Sequence, residues 1–434
     1  MKKTAVVICN YNKKEDVINC LRSVLEQDCL GSVDIYLVDN ASSDGSVEAL
    51  TESFPVINDG TVRLIVNSEN LGGSGGFNTG LRAALDHGGY GYYMCVDNDA
   101  ELDEKCISNL AVFLEAHEDF GMACAKVYDR EQPGVIQQYG LFIDYNNFST
   151  VSPNCGKTDE DNLPEFIECD TAPACALMVR AEVVDKIGIL PEENFLYWDD
   201  TEWCAGCREA GYKIACVGNA LAVHAMGAKK EAVTTFPTYY AWRNWLRYFM
   251  RHTPDKLRER MCIVMLSYLF EDIYSAFYQG DSPKIRTLTA AFDDALHGVT
   301  GKAAEGIIGP VAGDPVRFAK ISRGRRSVNI ISDGYSDVPY LVAKNILKAA
   351  DHDMRIYIDG TGEDGDKLNG EPDINVKICS SIFKLDDLSN KYIYVDMNMC
   401  VLESEDDAYY VMNYGYGRET FISMYRDLML RKMK

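Results

Sequence analysis

Four short apolar runs, Thr4–Ile8, Val33–Val38, Val62–Val66 and Tyr90–Val96, recur roughly every 30 residues, and each is followed by a stretch of helical period. Val17, Leu21, Val24 and Leu25 mark the first helical stripe; Val47, Leu50 and Phe54 the second; Phe77, Leu81, Ala84 and Leu85 the third. Strands alternating with helices predict a parallel sheet joined by right-handed crossovers. Ligands of such sheets sit at the carboxyl ends of the strands, where Asn10, Asp39 and Asp97 fall. The run Asp-Asn-Ala-Ser-Ser-Asp-Gly-Ser at 39–46 reads as a strand end, a turn and a helix start, with Ser43 or Asp44 as cap.

The chain has 434 residues, 47% of them hydrophobic and 25% charged, enough to fold two or three domains around their own cores. With 43 Lys and Arg against 66 Asp and Glu, the net charge of −23 repels polyanions, so no nucleic-acid partner is expected. The opening Met-Lys-Lys resembles a leader, but its apolar run stops at Cys9 and is read as a strand. The longest uncharged apolar stretch, Met261 to Phe270, is half of the roughly 20 residues a span needs, and no transmembrane helix is predicted. The 15 cysteines follow no regular spacing and are expected to be reduced and packed; Cys204 and Cys207 lack the second pair of a zinc site.

The expected organisation is 1–235 as a first α/β domain, 236–300 as a helical segment, 301–326 as a Gly-rich linker and 327–434 as a smaller α/β domain. In the helical segment, Tyr239, Tyr240, Trp242 and Trp245 lie near six bases between Arg243 and Arg260 against two acids. That local excess predicts either a peripheral membrane or anion contact through Arg243, Arg247 and Arg251, or a solvated helix face. In the last domain, strands are predicted at Ser327–Ile331, Met354–Ile358, Val376–Cys379 and Tyr392–Val395, with helices at Val338–Ala349 and near Phe421–Met433.

Candidate chemistry concentrates in the first 230 residues. Asp97-Asn98-Asp99 closes an apolar strand, and two carboxylates one residue apart can share a divalent cation or simply cap a solvated turn. Gly72, Gly73, Gly75 and Gly76 open a helical stretch containing Asn78, as a backbone cradle for phosphate or as a tight strand-to-helix turn. Trp198-Asp199-Asp200-Thr201-Glu202-Trp203 sets acids among aromatics; such faces suit a sugar, an Asp could take a proton from an attacking hydroxyl, and the same acids could cap a helix. His224, one of six histidines, follows another apolar strand and could be a third ligand or a structural ring.

Together these residues resemble glycosyltransferase family 2, with its GT-A fold, and especially its galactofuranosyl- and rhamnosyltransferase-like branch. The resemblance spans about residues 3–250 and rests on Val7-Ile-Cys-Asn-Tyr-Asn12, Val38-Asp-Asn-Ala-Ser-Ser-Asp-Gly45, Asn70-Leu-Gly-Gly-Ser-Gly-Gly-Phe77, Asp97-Asn-Asp99, Trp198-Asp-Asp-Thr-Glu202, His224 and Tyr239-Tyr-Ala-Trp-Arg-Asn244. It implies a Rossmann-like mixed sheet and an inverting transfer from a UDP- or dTDP-linked sugar, such as galactofuranose or rhamnose, to a glycan or lipid-linked acceptor. Asn10 and Asp39 would serve the nucleotide, with Asn98 and the glycines and Asn78 lining the donor pocket. Asp97, Asp99 and His224 would hold Mn²⁺ or Mg²⁺. Asp200 would be the base, with Trp198, Asp199 and Trp203 on the acceptor side. The setting implied is the cytoplasm or the inner membrane face, during cell-surface polysaccharide assembly, with room for a homo-oligomer.

Two features depart from the pattern: Asn98 stands where many relatives carry a third acid, and the final domain is not the expected one. A sugar nucleotidyltransferase is the nearest enzymatic alternative, but it should carry a basic Gly-rich loop where Cys9-Asn-Tyr-Asn-Lys-Lys-Glu stands. A non-catalytic sugar-binding assembly subunit is the other.

Overall fold

The computed structural model describes the chain apart from residues 1, 58–60, 160–162, 226–232, 312–314, 336–337, 363–364, 386–388, 390, 403–406 and 434. Two compact units emerge: Met1–Ala232 with Tyr240–Thr253 and Asp294–Ala304, and Val233–Tyr239 with Pro254–Asp293 and Glu305–Lys434.

The first unit holds strands β1 (Thr4–Asn10), β2 (Val33–Asp39), β3 (Val62–Val66), β4 (Tyr92–Asp97), β5 (Ala100–Leu102), β6 (Phe120–Asp129), β7 (Ile136–Gln138), β8 (Phe142–Asp144), β9 (Ser149–Val151), β10 (Phe166–Cys169), β11 (Ala176–Arg180) and β12 (Lys213–His224). Its helices are α1 (Lys14–Leu25), α2 (Ser46–Ser53), α3 (Gly72–His87), α4 (Cys106–Ala116), α5 (Ala181–Ile187) and α6 (Asp199–Glu209). One sheet runs β10-β12-β6-β11-β4-β1-β2-β3, with β5 beside β12 and β7 beside β6. The β4-β1-β2-β3 half is parallel, as the crossover pattern predicts. Beyond it the sheet is mixed, because β11 runs antiparallel to both β4 and β6.

β1 is apolar throughout because both of its faces are covered. Val6 and Ile8 join one core with Val17, Leu21 and Val24 of α1, Leu50 of α2 and Leu110 of α4. Ala5 and Val7 join the other with Phe77 and Leu81 of α3, Val183 of α5 and Cys204 of α6. Asp44, just before the Gly45 N-cap of α2, accepts from the Ser46 amide at 3.1 Å, so the expected cap acts from one position further out.

Three long helices follow: α7 (Phe236–His252), α8 (Arg258–Gln279) and α9 (Ser282–His297). The stretch read as a linker holds a further helix, α10 (Pro315–Ser322), whose Phe318 and Ile321 are buried under the second sheet. That sheet uses β13 (Ser327–Ile331), β14 (Arg355–Ile358), β15 (Thr361–Gly362), β16 (Ile374–Cys379), β17 (Tyr392–Asp396) and β18 (Val401–Leu402) in the order β15-β14-β13-β16-β17-β18. Its four central strands are parallel, with α11 (Val338–Ala349) on one face. The terminal helix α12 (Ala408–Lys432) starts well before the expected Phe421 and packs on α8, with Phe270 5.6 Å from both Tyr414 and Phe421 by ring centroid.

Contrary to the sequence expectation, the helical stretch Asp255–Gln279 is long and apolar enough to cross a membrane by length and composition. Half of its most apolar window is buried within the molecule.

Candidate active site

The strand ends meet as the sequence predicts. β1 and β2 finish side by side, Asn10 opposite Asp39, and β4 ends at Asp97 next to Cys9 of β1. Asn10 and Asp39 are buried and joined at 3.1 Å through Asn10 Nδ2, while the Asp39 carboxylate also accepts from the Ser42 amide at 2.9 Å. Asn98 donates to Asn10 Oδ1 at 2.9 Å, tying the end of β4 to that of β1. These three residues therefore build one corner from beneath.

Asp97, Asp99 and His224 converge although His224 lies over 120 residues downstream, because β12 returns alongside β5 and sets His224 opposite Ala100. One donor atom from each of the three lies within 4.8 Å of the others. His224 Nε2 is 3.0 Å from Asp99 Oδ1 and 3.8 Å from Asp97 Oδ2. The other ring nitrogen, Nδ1, is 2.8 Å from Gln137 Oε1, an acceptor that fixes the proton on Nδ1 and leaves the Nε2 lone pair facing the carboxylates. Two carboxylate oxygens and an imidazole nitrogen suit a divalent cation such as Mn²⁺ or Mg²⁺. Without a cation the cluster is held by protons. Burial, and beyond it the charges of Asp99 and Asp200 acting against His224, push Asp97 up to about 6. Burial lowers the His224 pKa, but its bond to Asp99 and the Asp97 charge outweigh that and raise it.

Sequence reasoning missed the residues around this cluster. Gln137 lies in no recognisable motif. Arg130 donates to the Asp99 carbonyl at 2.6 Å and to Asp16 at 2.8 Å, and Lys13 stands 3.7 Å from Asp99 Oδ2. Lone bases of this kind have no signature in a single sequence.

The acid pair starts α6. Asp200 Oδ1 accepts from the Thr201 amide at 2.6 Å and Oδ2 from the Ala174 amide at 3.3 Å. Neighbouring Cys175 accepts the Asp97 amide at 3.2 Å, so the two acidic motifs hang on adjacent residues of one strand approach. Burial first, then the Asp200 charge, pushes Asp199 up to about 7. Burial also raises Asp200, against the hydrogen bonds that favour its ionised form. Trp198 is partly exposed and packs on Tyr248 at 5.2 Å. Trp203 is not available to an acceptor: it is buried in the core and its indole donates to the Gly188 carbonyl at 3.0 Å, because it falls on the sheet-facing side of α6.

The glycine run is the first turn of α3, and the close approach it allows is to this chain itself. A Cβ on Gly72, whose φ is +79°, would meet the Phe195 carbonyl at 2.1 Å, and one on Gly76 would meet Cys9 Sγ at 2.2 Å. A Cβ on Gly75 would lie 2.7 Å from Leu71, whereas one on Gly73 would be 3.9 Å from Asp199 Oδ2. Asn78 is buried and its amide nitrogen donates to the Leu190 carbonyl at 2.7 Å and Glu192 at 3.0 Å, so it secures the loop before the acid pair. Asn40, which the sequence did not single out, braces the turn by donating to the Gly72 carbonyl at 2.9 Å and accepting from Asn67 at 3.0 Å.

The proposed basic surface is also revised. Arg243 is fully buried, and Arg247 and Arg251 each lie 3.0 Å from Glu193 Oε1, with Arg251 also on Glu202. These bases are spent on carbonyls and acids of their own unit. The His224 motif ends at Met226 and Gly227, outside the described residues.

Residues 5–188 match the model "Glycosyl transferase family 2". The chain is 24% identical over 308 residues to the dTDP-rhamnosyl transferase RfbF of Shigella flexneri, covering 68% of this chain and 96% of that protein. It is 22% identical over 263 residues to the galactofuranosyltransferase GlfT2 of Mycolicibacterium smegmatis, where it spans 40% of the relative and 56% of itself. Among solved structures, GalNAc-T7 with UDP, GalNAc and Mn²⁺ superposes with a TM-score of 0.48 at 12% identity, over 62% of this chain and 50% of that one. The strand order and the paired acidic motifs agree with the match of residues 5–188 to the family 2 glycosyltransferase model.

Proposed function

We propose that the chain is an inverting, metal-dependent hexosyltransferase that moves a sugar such as rhamnose or galactofuranose from a dTDP- or UDP-linked donor to a hydroxyl of a glycan or lipid-linked acceptor. The observation that carries this reading is the arrival of Asp97, Asp99 and His224 within one ligand shell, with Asp200 anchored one residue from the Asp97 partner Cys175. The rhamnosyl and galactofuranosyl relatives support the choice of sugars, and cytoplasmic assembly of a cell-surface glycan is the setting that goes with them.

Asn10, Asp39 and Asn98 shape the corner on which the nucleotide lies. A divalent cation held by Asp97, Asp99 and His224 would supply positive charge beside the diphosphate as it departs. Asp200 accepts the acceptor's hydroxyl proton while that oxygen bonds to the anomeric carbon and the carbon–oxygen bond to the diphosphate breaks. Asp199, with Trp198 beside it, orients the acceptor. Nucleoside diphosphate is the leaving group, whereas a nucleotidyltransferase would release pyrophosphate.

The test is calorimetric titration of UDP and dTDP with Mn²⁺ and again with chelator, followed by product analysis. One nucleotide should bind only with metal, and Asp97→Asn or Asp99→Asn should abolish that binding. Asp200→Asn should keep nucleotide affinity and lose about 10²- to 10⁴-fold in kcat. Binding of neither nucleotide would favour the non-catalytic alternative, and transfer by Asp200→Asn at the wild-type rate would remove it as base.

A further inference from the structure

The segment before the acid pair follows a costly backbone path. Phe195, Tyr197 and Trp198 have φ of +66°, +63° and +64°, a region that L-residues with side chains rarely adopt. Three such residues among four persist only where the surroundings hold them. Two adjacent side chains of α7 do so. The Asn244 amide nitrogen lies 2.8 Å from the Asn194 carbonyl, 2.8 Å from that of Leu196 and 3.1 Å from that of Tyr197. Arg243 donates to the same Asn194 carbonyl at 2.8 Å and to Gly301 at 2.7 Å, and its Nε donates to Asn244 Oδ1 at 3.0 Å. That last bond orients the amide, turning its NH₂ toward the loop. Arg243 and Asn244 are 0% and 1% exposed, and Phe195 stacks on Tyr240 of the same helix at 4.9 Å. On the opposite side, the Phe195 carbonyl presses on Gly72.

We propose that Arg243 and Asn244 are positioning residues for the transfer: they clamp the carbonyls of Asn194, Leu196 and Tyr197 in the left-handed path that aims Asp199 and Asp200 into the site. The proposal rests on the reading of Asp200 as base. It also explains why α7 contributes Tyr240–Thr253 to the first unit. The clamp touches neither substrate nor cation, so its loss acts on the chemical step and spares nucleotide binding.

Asn244→Asp preserves the shape but removes both donors. In the full chain with Mn²⁺ it should lower kcat about a hundredfold while leaving nucleotide affinity within about twofold. Hydrogen exchange should rise in the amides of 194–200 and stay unchanged in β4. Adding Tyr197→Gly, which relieves one left-handed residue, should restore kcat about tenfold. Asn244→Ser, which keeps one donor and adds no charge, should give the same pattern at smaller amplitude and serves where Asn244→Asp does not fold. Unchanged exchange at 194–200, or raised exchange with wild-type kcat, overturns the clamp. Absence of transfer and of metal-dependent nucleotide binding in the wild-type chain would instead overturn the transferase reading, leaving exchange alone to judge the clamp.

Discussion

Asp199 and Asp200 are neighbours in different surroundings. Asp200 is supplied with donors from Thr201 and Ala174, whereas Asp199 is pushed up to about 7, by burial first and then by the Asp200 charge. An unfolded aspartate titrates near 3.9. The native state therefore binds the Asp199 proton more tightly, so its stabilising contribution is complete below the unfolded value and is lost as pH rises to about 7. Asp199→Asn has no such loss: in chelator at pH 8 it should exceed the wild type by on the order of 2 kcal/mol, with the gap closing toward pH 4. Thermal denaturation at the two pH values measures this, and a gap independent of pH would refute it. At this scale Asp97 and His224 were legible because each closes an apolar strand. Trp203 was not, since an aromatic beside acids reads the same whichever face of the helix it takes. Of the two readings of the glycines, the structure shows the tight strand-to-helix turn; the sequence left the choice open because a residue that lets backbone approach closely does not say whose backbone approaches.

The first turn of α3 shows how an element can be tuned by absent side chains. A Cβ at Gly76 would sit 2.2 Å from Cys9 Sγ and 3.1 Å from Asn40 Nδ2, between β1 and the residue that braces the turn. Gly76→Ala should destabilise the chain by about 1–3 kcal/mol through overpacking. Cys9→Ala, which removes the clashing sulfur, should recover part of that in the double variant; strictly additive melting data would show that the two do not share the space. Strand positions were readable from apolar runs because both faces of β1 and β4 are covered. The early start of α12 was hidden by Gly415 and Gly417, which interrupt a helical reading. Gly417 is explained only by packing, since its Cβ would lie 2.8 Å from the Phe270 ring. Helix α10 escaped because its eight residues give barely two turns of periodicity.

For the whole molecule, a net charge of −23 leaves no general attraction for an anionic ligand, so the donor binding proposed above requires a local source of positive charge, such as a cation and nearby amides. The division into units is equally local in origin, and composition could not reveal it. A cut at residue 235 looks natural in the sequence but removes Arg243 and Asn244 from the loop they hold. A cut after residue 304 keeps every segment of the first unit yet strips α8 of α12, against which Phe270 packs and Cys262 meets Met433 at 3.7 Å. Met261, Met265, Leu266 and Leu269 are buried on the same helix. An exposed apolar face of that size favours association. The chain ending at 304 should therefore aggregate and bind a hydrophobic dye, while the full chain stays dispersed, as light scattering and dye fluorescence would record. A monomeric 1–304 chain with full metal-dependent nucleotide affinity would show instead that α8 needs no cover from α12.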